Sequence, residues 1–94
     1  MYITITGSNH YMGTESYNVG QILVLKKDKG NVYDDEAIKV ENENGVKYGY
    51  VANSIFSVAR GSHSAGYIYN TFKDETRCKV MFIINDKVIA EITE

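Results

Sequence analysis

No proline occurs anywhere in the 94 residues. Every turn must therefore be made by Gly, Asn, Asp or Ser. Cysteine is nearly absent as well. Cys78, the only one, can form neither an internal disulfide nor a cysteine-rich zinc site, and within TRCKVMFII it reads as a small strand residue. Long apolar runs are missing: the longest, VMFII, spans five residues, where about 20 are needed for a helix to cross a bilayer. The opening MYITITG has neither the basic start nor the apolar core of a signal peptide, so a cytoplasmic protein with no membrane partner is expected. An excess of positive charge is lacking too. Ten basic residues stand against 12 acidic ones, a net charge of -2. That does not suggest a protein that coats duplex DNA by neutralising many phosphates, and leaves room for a small site gripping one or two nucleotides.

Enzyme signatures are equally scarce. There is no P-loop, no dinucleotide fingerprint, and no Ser or Cys nucleophile in a base-bearing signature. Asp34, Asp35 and Glu36 could hold Mg²⁺, but one local run without a second ligand set is poor grounds for a metal-dependent nuclease. The expectation is a non-catalytic protein that needs no cofactor.

What is present reads as β structure. Hydrophobic residues make up 44% and charged residues 23%, as in an ordinary globular chain, and the length fits one domain, 1–94. Eight tyrosines and many β-branched residues favour strands. Tyr2 to Thr6 alternates. QILVLKK is nearly all apolar over Ile22 to Leu25, as a strand buried on both faces would be. Ala37 to Glu41 alternates again, with Ile38 and Val40 on one side and Lys39 and Glu41 on the other. Asn44-Gly45 between two alternating runs predicts a type I′ hairpin, with a return strand over Val46 to Val51. AGYIYNTF, TRCKVMFII and DKVIAEI read as three further strands, the last two joined by a tight turn at Asn85-Asp86. Ile55, Val58 and Ala59 follow helical spacing, and Asn53 or Ser54 and Gly61 can cap a helix between them. One short helix is therefore expected at about residues 53–60. Short strands with regular turns suggest a small barrel or sandwich, a barrel being expected to close with five or six of these segments.

Two loops stand out. Residues 7–20 form a Gly-, Ser- and Asn-rich connection longer than a hairpin needs. GNVYDDEAIKV, residues 30–40, places a large ring and three consecutive carboxylates just ahead of a strand. Tyr33 there either offers its face to a base or plugs a barrel end. Asp34 either accepts a hydroxyl from a ligand or caps its own turn. Asp35 and Glu36 read as a solvated face. Lys26, Lys27 and Lys29 could steer a strand toward this loop, or are ordinary surface lysines. His63 has no partner at metal-ligand spacing and is given no role.

Three segments in order resemble the HIRAN domain family: ITGSNHYMG at 5–13, LVLKKDKGNVYDDEAIKV at 23–40 and NGVKYGYVANSIFSVARG at 44–61. They are similar to that family's opening strand with its aromatic pair, its Asn-Pro-Tyr-Asp loop before Ala-Ile, and its hairpin ending in Gly-Tyr-Val. Signature prolines are absent, Val32 and Asp35 standing where the family commonly has them. The resemblance implies an all-β barrel of the OB or SH3-like kind that binds single-stranded DNA at a free 3′ end. It also implies a set of nucleic-acid-binding residues. His10 and Tyr11 match the aromatic pair, and Asn31, Tyr33 and Asp34 match the loop. Tyr50 and Asn53 lie at the hairpin end and the expected helix start. The family often occurs as one module of larger DNA-remodelling enzymes, so a protein partner could supply an activity. The competing reading is a protein-interaction module using the tyrosine-rich surface or an edge strand, as a monomer or a dimer.

Overall fold

In a computed structural model, which describes residues 1–93, six strands close into an antiparallel barrel. They are β1 (Tyr2–Thr6), β2 (Ile22–Lys27), β3 (Ile38–Glu41), β4 (Lys47–Val51), β5 (Glu75–Ile84) and β6 (Lys87–Ile92). Their order around the barrel is β1-β4-β3-β2-β5-β6. One short helix, α1 (Ala65–Ile68), continues into a 3₁₀ turn over Tyr69–Thr71. No helix among the described residues is long and apolar enough to cross a membrane.

The alternation in the sequence explains the core. Ile3 and Ile5 of β1, Leu23 and Leu25 of β2, Ile38 and Val40 of β3, Cys78 and Val80 of β5, and Val88 and Ala90 of β6 all point inward and are fully buried. β2 is apolar on its other face as well, where Val24 is also covered, although Ile22 at its start is exposed. Glu41 is buried at the rim of β3 and is tolerated there because Lys26 and Lys39 approach it at 3.1 and 3.5 Å.

The expected helix at 53–60 is not formed. Ser54 closes a single turn, its carbonyl accepting from the backbone of Ser57 and Val58. The chain then leaves helical geometry because the Ala59 amide donates to the Thr4 hydroxyl of β1 at 3.0 Å. Ile55, the first of the residues at helical spacing, and its neighbour Phe56 are each 88% exposed. The helix lies instead in AGYIYNTF, the segment read as a strand. Ala65, Ile68, Tyr69 and Phe72 fall at i, i+3, i+4 and i+7 and face the core together, and Ser64 caps the start by accepting from the Tyr67 amide. The β3–β4 turn also differs from type I′. Only Gly45 has positive φ (85°), and the Asn42 side chain holds the turn by accepting from the amides of Asn44 and Val46. The Asn85-Asp86 turn joins β5 to β6 as expected, with Asn85 left-handed at φ 55°.

Candidate nucleic-acid interface

The loop between β2 and β3 is built without proline by a chain of side-chain hydrogen bonds. The Asn31 carbonyl oxygen accepts from the amides of Tyr33 (2.9 Å) and Asp34 (3.0 Å). Asp34 Oδ1 in turn accepts from the Glu36 amide at 2.9 Å. Two consecutive Asx-type turns therefore fix the backbone where the family's prolines would restrict φ. Held this way, the loop pushes Tyr33 outward. Its side chain is 95% exposed, so it plugs nothing.

A second strand of bonds ties this loop to the barrel. Asn31 donates to Asp28 Oδ2 at 3.3 Å, and the same oxygen accepts from the Tyr50 hydroxyl at 2.7 Å. The Tyr50 oxygen receives a hydrogen bond from Lys47 Nζ at 3.0 Å. The hydrogen bond from Tyr50 holds the Asp28 carboxyl below its usual range. On the other side, Asp34 Oδ2 accepts from the Asn53 side-chain amide at 3.0 Å. The Gly66 amide fixes the orientation of that side chain by donating to its oxygen at 2.8 Å. Each Asp34 oxygen thus has one protein donor, and a carboxylate offers about four acceptor positions in all, so capacity for a ligand hydroxyl remains.

These residues surround one hollow of about 510 Å³. Six of the seven residues expected at a binding site line it: Tyr11, Asn31, Tyr33, Asp34, Tyr50 and Asn53. The seventh, His10, lines a neighbouring hollow with Phe56, Asp86 and Lys87. Tyr11 reaches the first hollow from the 7–20 loop and tilts against Tyr50, ring centroids 6.5 Å apart. That loop is anchored by Tyr17, a buried residue whose hydroxyl bonds Ser8 (2.8 Å) and the Tyr48 carbonyl (3.2 Å).

Sequence reasoning passed over Lys47 and Asp28. Lys47 Nζ sits 4.9 Å from the Tyr50 ring centroid and 5.4 Å from that of Tyr11, which places a cation behind the aromatic wall. The lysines that reasoning did select are occupied elsewhere. Lys26 pairs with Glu41, Lys27 donates to the Phe72 carbonyl under the Tyr69 and Phe72 rings, and Lys29 pairs with Asp74. Among the described residues no cluster of His, Cys, Asp and Glu is arranged to hold a metal ion.

A family model described as HIRAN domain matches residues 1–84. No curated protein matches the sequence. Among solved structures, the chain is similar to a protein from Lactobacillus plantarum (TM-score 0.67, 18% identity, covering 97% of this chain and 87% of that one). It is equally similar to the HIRAN domain of human HLTF (TM-score 0.67, 22% identity, 98% and 73% covered).

Proposed function

We propose, from the premise that this chain belongs to the HIRAN domain family, that it is a non-catalytic DNA-binding module whose hollow receives the 3′ end of a single strand. The observation that carries the reading is the pairing of Tyr33 and Asp34 on one locked loop. An exposed ring on a rigid support offers a stacking face, worth about 1–3 kcal/mol per base and indifferent to base identity. A carboxylate beside it selects what lies next to that base. It repels phosphate and strengthens a hydrogen bond from a hydroxyl. Only a terminal nucleotide carries a free 3′-hydroxyl, so a hollow lined by Asp34 favours an end over a continuing chain.

The net charge of -2 agrees with a site that meets few phosphates. For the competing protein-interaction reading, the closed barrel leaves no free strand edge among its six strands. What remains for a protein partner is side-chain surface, whose exposed apolar residues include Phe82 and Ile84 on β5 and Ile55 and Phe56 after β4.

Fluorescence anisotropy at low salt separates these readings. A short labelled strand with a free 3′-hydroxyl is expected to bind more tightly than the same strand phosphorylated there, and Asp34→Ala is expected to erase the difference. Equal affinity of the unaltered protein for both strands would refute end recognition. Absence of binding to either would refute the DNA reading itself.

A further inference from the structure

The hollow described above takes the end of a strand, yet OB-type folds contact on the order of 4–16 nucleotides. Beyond Asn53 and Ser54 the surface falls into a second hollow of about 430 Å³. Those two residues line both hollows and form the ridge between them. Arg60, His63 and Tyr67 line the second hollow and not the first. The rings of His63 and Tyr67 are stacked, with centroids 4.3 Å apart and planes 18° from parallel. Backbone bonds hold the pair in place: the His63 amide donates to the Tyr2 carbonyl at 2.7 Å, and the Tyr67 amide to the Ser64 hydroxyl at 3.2 Å. Tyr67 nevertheless remains 61% exposed, so the His63 ring backs one side of it while much of its surface stays open. Arg60 is exposed and has no ion-pair partner among the described residues.

We infer that this second hollow carries the strand inward from its end. Tyr67, backed by His63, stacks a base next to the terminal one, and Arg60 meets the phosphate between them. The inference rests on the end-binding reading above and extends it with a direction. The first hollow presents a carboxylate, which suits a hydroxyl and rejects phosphate. The second presents a guanidinium, which binds phosphate oxygens. A strand laid across the Asn53–Ser54 ridge thus meets Asp34 with its terminal hydroxyl and Arg60 with its first phosphodiester. A preformed aromatic stack loses little conformational freedom when a third ring is added.

The test uses a labelled thymidine octamer, ending in a 3′-hydroxyl or a 3′-phosphate, with the unaltered protein and four variants. Tyr67→Ala and Arg60→Ala should each weaken octamer binding by about tenfold while keeping the preference for the hydroxyl. Tyr67→Phe should bind as the unaltered protein does, and Asp34→Ala should lose the preference. Unaltered affinity in Tyr67→Ala or Arg60→Ala would overturn the inference and leave the end-binding reading standing. So would loss of the hydroxyl preference in either, since the first hollow would then be what had changed. An unaltered protein that binds neither octamer would remove the end-binding reading and this inference with it.

Discussion

Asn31 and Tyr17 do the positioning at the scale of single residues, one for each loop that reaches the hollow. Asn31 accepts two successive amides and so turns the chain where a proline is missing. Tyr17 sits edge-on to Tyr48, 5.0 Å between centroids, and ties the loop bearing Tyr11 to β4. Burial pushes the Tyr17 phenol up to about 12, against an ordinary value of 10.0. The unfolded chain therefore gives up this proton first as pH rises. The stabilisation is fully present below about pH 10 and is lost as pH climbs toward about 12. Cys78, also raised by burial from 9.0 to about 12, adds a slope of the same sign. Tyr17→Phe should cost about 1–3 kcal/mol at neutral pH, because Ser8 and the Tyr48 carbonyl lose a partner. It should also flatten the alkaline decline seen by urea denaturation at a series of pH values. A variant with unchanged neutral stability and an unchanged alkaline slope would show that Tyr17 is not the anchor. The place of Tyr33 and Asp34 at the hollow was legible in the chain because a ring and acids beside Gly30-Asn31 made a poor plain connector. Tyr17 was not legible. Its partner Tyr48 lies 31 residues away, and nothing local distinguishes a buried tyrosine from seven others.

Among the elements, the β1–β4 contact shapes the hollow most directly. Thr6 and Tyr50 pair across it, and both line the site. The strands approach so closely there that a Cβ added to Gly49 would lie 2.6 Å from the Thr6 carbonyl oxygen. Gly49→Ala must therefore separate the two strands. It should destabilise the domain by about 1–3 kcal/mol, read from the denaturation midpoint, and weaken strand binding as Thr6 and Tyr50 move apart. Unchanged stability would mean that the barrel adapts at no cost and that this approach does not define the site. The strands themselves were readable, since a two-residue alternation with one face buried admits only one register. The helix was misplaced because two neighbouring windows both carry helical spacing. Thr4 decides between them by capturing the Ala59 amide and sharing a 2.7 Å bond with Ser62. That bond spans 58 residues and leaves no trace in the local pattern.

Across the whole molecule, closure and charge set what the domain can do. A closed barrel offers loops and side chains rather than edges, and the candidate site gathers where the 7–20, β2–β3 and β4–α1 connections meet. The same long-range pairing decides between the two readings of the lysines. Lys27 and Lys29 find partners 45 residues further along the chain, so proximity in sequence to the signature loop was no guide to their role. Lys47 went unnoticed for the converse reason: an ordinary hairpin lysine becomes part of the site only once Tyr11 is folded over it. In the proposed function this meeting point receives the strand's end. Backbone amide NMR during titration with an unlabelled single strand ending in a 3′-hydroxyl tests it most directly. The largest shift changes are expected on Tyr11, Asn31, Tyr33, Asp34, Tyr50 and Asn53, while the Phe82–Ile84 face stays still. Changes centred on Phe82–Ile84, with the Tyr33 loop unmoved at saturation, would contradict it.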